Sequence, residues 1–165
     1  MTPIRLLQTG IMPALNELAT LGIPADVRAA RFLLAIALQE SGLRHRRQVV
    51  SGGAENGPAS SFWQFEQGGG CRGVLNHHAS SARMISVCNA YNVTPSPAGL
   101  WESMRYQDIM AAVAARLLIY TLPHGLPLSA AEGWSQYIAA WRPGTPHEST
   151  WLENWALASE TVGVV

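Results

Sequence analysis

The chain contains no lysine: all eleven of its cations are arginines, and eleven carboxylates balance them to a formal charge of zero over 165 residues. Neutrality removes the usual footprint of a nucleic-acid binder, a net basic domain with a basic patch. Only Arg44, Arg46 and Arg47 cluster, so no nucleic-acid partner is expected. Charge of either sign is scarce at 13%, while 48% of residues are apolar. That composition excludes intrinsic disorder and supplies a core for one compact domain, residues 1–165. Long apolar runs are missing too. The longest, Phe32 to Leu38, falls far short of the ~20 residues of a membrane span, and no membrane insertion is expected. Gln8, Thr9, Asn16 and Glu17 interrupt the first apolar stretches, so no signal peptide is read and synthesis and folding in the cytoplasm are expected. Cysteine is limited to Cys71 and Cys88 without CxxC spacing, which favours free buried thiols over a disulfide or a metal site. His77-His78 has no acidic or cysteine ligand at helical spacing; neither a metal nor a cofactor is expected.

What is present is helical punctuation. Thr2-Pro3 reads as an N-cap followed by proline, with Gly10 ending a short helix. Pro13 to Leu21 repeats the scheme and Gly22 closes it. Pro24 opens a longer helix to about Ser41, stopped by Gly42, and its centre FLLAIAL is apolar on every side, as in a helix buried in the core. Helices are also expected over Val74–Tyr91 and Leu100–Leu122. Ser129-Ala-Ala-Glu132 and Thr145-Pro-His-Glu148 have the form of capping boxes launching two more. Between these helices, Leu43 to Gly73 is a glycine-rich loop with a short extended segment or hairpin around Ser60 to Glu66. A loop of that length inside a compact domain is usually functional. The fold class is therefore mainly α with one long loop.

Most carboxylates suit caps (Glu132, Glu148) or solvated helix faces (Glu17, Asp26, Glu102, Asp108, Glu153, Glu160). Glu40 is different, because it follows the most apolar helix segment, at that helix's C-terminal end. Desolvation and the negative end of the helix dipole both raise the pKa of a carboxyl placed there, as a general acid near neutral pH requires. Pairing with Arg44 at i,i+4 spacing is the structural alternative.

Glu40-Ser41-Gly42-Leu43, then Gly57-Pro58-Ala59-Ser60-Ser61-Phe62-Trp63-Gln64-Phe65, then Ala139-Ala140-Trp141-Arg142-Pro143-Gly144 form an ordered set. In that order and at those distances they resemble the lysozyme-like soluble lytic transglycosylases, in the divergent form found in phage and prophage proteins. The resemblance covers roughly Ala25 to Gly144. It implies a lysozyme-like domain that cleaves the β-1,4 bond between N-acetylmuramic acid and N-acetylglucosamine in peptidoglycan glycan strands, with Glu40 as the single acid/base and no cofactor. It further implies that Ser41 orients the carboxyl or meets the sugar, and that Gln64 lines the cleft between Phe62 and Trp63. Strand alternation would put Trp63 and Phe65 on one face and Phe62 and Gln64 on the other, one pair facing the sugar.

Three positions depart from the family's pattern. Ser61 replaces a glycine, Phe62-Trp63 replaces Leu-Met, and Trp141-Arg142 replaces a late Tyr-Asn whose tyrosine hydroxyl can reach the catalytic carboxyl. Tyr137, four residues before Trp141 on the same helix face, either supplies that hydroxyl or is a core tyrosine. Arg142 either binds a peptide-stem carboxylate or pairs with Glu148. Two alternatives stand beside the transglycosylase. A hydrolase would use Glu55 or Glu66 as a second carboxylate, at about 5 Å from the acid for retention or about 6.5–9.5 Å for inversion. An inactive lysozyme-like domain would bind the wall or serve as a structural virion protein. The enzyme reading places the protein at the bacterial cell wall as a virion component or phage lysis protein, with other virion proteins as its further partners.

Overall fold

The computed structural model describes residues 1–164 and is mainly helical, with one small two-stranded sheet. Thr2 caps α1 (Pro3–Leu6), its Oγ1 accepting from Arg5 N at 3.3 Å. Gly10 does not stop this helix as expected. The chain continues through a π turn, Leu7–Ile11, straight into α2 (Met12–Thr20). The glycine serves packing instead, since a Cβ at Gly10 would stand 3.2 Å from the Cβ of Asp108.

The buried helix is α3 (Val27–Ser41). Asp26 caps it by accepting from the N–H groups of Arg28 and Ala29, so Asp26 is a cap and not a face residue as read. Every residue from Phe32 to Leu38 is buried, and Gly42 ends the helix in the left-handed region at φ 54°. α3 is the axis on which α7 (Asp108–Tyr120) and α9 (Trp151–Gly163) pack.

The expected hairpin forms with very short arms. β1 (Ala59–Ser60) and β2 (Phe65–Glu66) are antiparallel, with Ala59 opposite Glu66 and Ser60 opposite Phe65. On the other edge of β1, Arg47 bridges to Ser60, and Gln48 N and Ser61 N donate to the carbonyls of Ala59 and Arg46. The four residues between the arms are a turn and not strand, with Ser61 (φ 68°) and Gln64 (φ 51°) both left-handed.

Two expected helices are each broken in two. Val74–Tyr91 becomes α4 (Arg72–Asn76) and α5 (Ser81–Ala90), joined where Ser80 Oγ donates to Val74 O at 2.8 Å. Leu100–Leu122 becomes α6 (Pro97–Ser103) and α7, which frees Asp108 at the start of α7 to take a two-pronged bond from Arg46 at 3.0 and 2.7 Å. Asp108 is thus an ion-pair partner, contrary to its expected solvated role.

Ser129 caps α8 (Ala130–Trp141), while Glu132 reaches back one residue further, to Leu128 N. The second box does not cap: a 3-10 turn, Glu148–Thr150, leads into α9 without a side-chain cap bond. The core is one continuous apolar cluster from Leu6 to Val162. Cys71 and Cys88 lie buried within it as free thiols, and burial pushes Cys71 up to about 12. Among the described residues, no helix is long and apolar enough to cross a membrane.

Candidate active site

A cleft of about 630 Å³ opens at the C-terminal end of α3. The end of α3 contributes Gln39, Glu40 and Ser41, the loop after it His45, Arg47, Gln48 and Val49, and the hairpin Gln64, Phe65 and Glu66. The far end of α8 contributes Tyr137, Trp141 and Arg142, and the turn beyond it Pro143, Gly144, Thr145 and His147. Within the cleft the carboxylates are Glu40 and Glu66.

Glu40 is partly buried in the cleft floor, and desolvation pushes its pKa up to about 7 against the opposing pull of one hydrogen bond. That bond comes from Tyr137, whose Oη donates to Glu40 Oε1 at 2.7 Å. Burial first, and the neighbouring Glu40 second, drive the Tyr137 hydroxyl far upward, so it stays protonated and acts as a donor. Glu40 therefore turns to a tyrosine and not to Arg44, which is exposed and makes no ion pair among the described residues.

Tyr137 reaches Glu40 because it is fixed by aromatic packing. Its ring stacks on Trp151 at 5.4 Å and 12° and leans on Trp134 at 5.4 Å. Trp151 in turn packs against Trp134, Trp155 and the edge of Phe32. Tyr137 is at once a core tyrosine and the carboxyl's partner, roles the sequence set apart as alternatives.

The other expected residues divide into those that shape the wall and those that leave it. Ser41 Oγ does not touch the carboxyl. It lies 2.8 Å from Phe62 O and 2.9 Å from Ala37 O, one proton serving two carbonyls, so it ties the hairpin turn to the end of α3. Trp141 Nε1 donates to Trp63 O at 2.8 Å, a second tie on the same turn. Phe62 and Trp63 are fully buried, and neither faces the cleft. The turn points both rings inward: Trp63 Nε1 donates to Leu33 O within α3, and Arg46 stacks over Phe62 at 4.5 Å.

Gln64 does line the cleft, with its Nε2 donating to Ser61 O at 2.8 Å and its other amide atom without a partner among the described residues. Phe65 joins it on the wall, edge-on to Trp141 at 5.8 Å. Glu66 is exposed on the same wall, whereas Glu55 lies outside it, bonded to His45 Nδ1 at 2.8 Å. Arg142 is at the rim in a left-handed conformation (φ 49°, ψ 52°) and does not pair with Glu148. Its Nε makes only a long 3.4 Å bond to Ala139 O.

Sequence reasoning missed Gln39, which lines the cleft and ties α3 to the C-terminal segment. Its Nε2 donates to His147 O, and its Oε1 accepts from Asn154 and Thr150. No local pattern could signal it, since its partners lie more than a hundred positions away. Arg47, another cleft residue not foreseen, holds the carbonyls of Asn56 and Gly57 and stacks over Trp101 at 4.9 Å. Two of the three clustered arginines are thus committed within the fold. Among the described residues, no group of acidic, histidine or cysteine side chains is arranged to hold a metal ion. Comparison of the chain with protein-family models, with curated proteins and with solved structures gives no match.

Proposed function

We propose that this chain is a peptidoglycan-degrading lytic transglycosylase with a lysozyme-like domain, acting at the bacterial cell wall as a virion component or phage lysis protein. One observation carries the reading: a carboxyl with a pKa near 7 on the floor of an open cleft, held at one oxygen by a buried tyrosine hydroxyl. With Tyr137 donating to Oε1, the acidic proton of Glu40 belongs on Oε2, the oxygen left for substrate.

Protonated Glu40 gives that proton to the glycosidic oxygen as the C1–O bond of the muramoyl residue breaks, releasing the neighbouring sugar with a free hydroxyl. The carboxylate then takes the proton of the muramoyl 6-hydroxyl while its oxygen bonds to C1, closing a 1,6-anhydro ring. Glu40 ends protonated, water is neither consumed nor made, and no second carboxylate is needed. A pKa near neutrality suits a group that must both give and take a proton in one turnover.

Glu66 sits on the same cleft and favours one competing reading, hydrolysis with Glu66 directing a water. Digestion of purified peptidoglycan by wild type, Glu40→Gln and Glu66→Gln, with products read by mass spectrometry, separates the readings. Anhydromuropeptides from wild type and Glu66→Gln, and none from Glu40→Gln, are expected. Reducing-end products lost in both variants would make the chain a hydrolase. Absence of products from wild type on walls of several bacteria would leave a binding or structural virion protein.

A further inference from the structure

The cleft separates its charges. Nothing cationic bears on Glu40: its pKa is set by burial and by Tyr137 alone, and no arginine pulls it down. An arginine beside the carboxyl would hold it ionised and remove the acid. The two arginines of the cleft, Arg47 and Arg142, make no ion pair or hydrogen bond with Glu40. Arg47 is spent on loop carbonyls and the Trp101 ring. Arg142 is not spent. It is exposed, has no acidic partner among the described residues, and has a single marginal bond to a carbonyl one turn back. It also occupies a left-handed backbone conformation, which is unfavourable for a residue with a Cβ and which asparagine or glycine would adopt more easily. Pro143 follows it, also lining the cleft, with its own φ fixed by the ring.

A floor carboxyl with no cationic partner and an exposed guanidinium at the edge are complementary to a particular ligand: an uncharged glycan strand carrying carboxylates on its side branches. We infer that Arg142 is a specificity residue that binds a carboxylate of the peptide stem, so that the cleft prefers stem-bearing glycan strands to bare ones. The inference rests on the glycan-cleft reading above and adds the substituent that the site selects. Guanidinium meets carboxylate in a two-pronged, charge-assisted bond, which lysine reproduces only in charge. At an exposed rim such a pair is worth about a three- to fivefold preference.

The test is equilibrium binding, which needs no turnover. Glu40→Gln, Glu40→Gln/Arg142→Asn and Glu40→Gln/Arg142→Lys are titrated with two probes: soluble glycan strands bearing tetrapeptide stems, and the same strands stripped by an amidase, with the lactyl carboxylates that stripping exposes capped as methyl amides. Asparagine removes the charge and suits the left-handed backbone, so a folding defect is not built into the variant. The stemmed strand is expected to bind Glu40→Gln about three- to fivefold more tightly than the bare strand. Asparagine should erase that preference, lysine should restore part of it, and salt should weaken it.

Equal affinity for the two probes, or a preference that survives Arg142→Asn, overturns the inference, as does failure of both probes to bind. Digestion by wild type keeps the two claims apart. Both strands cleaved at equal rates leaves the transglycosylase and sinks the role of Arg142. An Arg142-dependent preference without any cleavage product sinks the transglycosylase and keeps that role.

Discussion

Glu40 pays for its position with stability, and that cost has a definite pH dependence. Its folded pKa of about 7 lies above the ordinary 4.5, so between those values the native state holds a proton that the unfolded chain has released. Stability therefore falls as pH rises from about 4.5 to about 7 and then levels off. The full cost above that window is on the order of 3 kcal/mol. Glu40→Gln keeps an oxygen for Tyr137 and cannot ionise. It should be more stable than wild type at pH 8 by up to that order and no more stable at pH 4, as read by urea denaturation at the two pH values. Tyr137 supplies the opposite correction, since its hydrogen bond pulls the Glu40 pKa down. Activity that needs protonated Glu40 should decline above about pH 7 in wild type. In Tyr137→Phe the decline should move to higher pH, with a loss of about tenfold at the optimum from the misplaced carboxyl. A pH–rate profile of both proteins on solubilised glycan strands checks the sign.

At the scale of elements, the site depends on how closely α8 lies on α9. Gly133, one turn before Tyr137, faces the Trp155 ring so directly that an added Cβ would stand 2.5 Å from Trp155 and 3.1 Å from Trp151. Gly133→Ala should therefore destabilise the protein by ~1–3 kcal/mol, although alanine is the better helix former by up to ~1 kcal/mol. Because the clash lifts α8, the variant should also lose activity out of proportion to its folded fraction, a comparison that thermal unfolding and a turnover assay make together.

This dependence explains what could and could not be read from the chain. α3 was legible because a run apolar on all sides has no other home than the core, and Thr2, Ser129 and Gly42 were legible because caps are local chemistry. Gly10 reads locally as a helix stop, but its reason for being glycine is Asp108, nearly a hundred residues on. Alternation assumes strand and so separates Phe62 from Trp63, whereas two left-handed residues, Ser61 and Gln64, turn the segment and bury both rings. Tyr137 stood out by its spacing from Trp141, yet only the packed aromatic cluster decides that its hydroxyl meets Glu40.

Over the whole molecule, neutrality has a practical consequence. Arginines and carboxylates cancel, and the isoelectric point is near 7.0. Self-repulsion is then weakest at the pH where Glu40 titrates. Solubility should pass through a minimum near pH 7 and recover at pH 5 and pH 9, which static light scattering at fixed protein concentration would show.

The aromatic packing behind the cleft has a further consequence. Trp134, Trp151 and Trp155 lie within 6 Å of a neighbouring indole, and Tyr137, bonded to the acid, is stacked face to face on the middle one. Rings so close share their excited states, so a displacement of the tyrosine is felt by the whole group as a change in emission and in near-ultraviolet dichroism. The packing that positions the Glu40 carboxyl is also a built-in optical gauge of whether that carboxyl is in place.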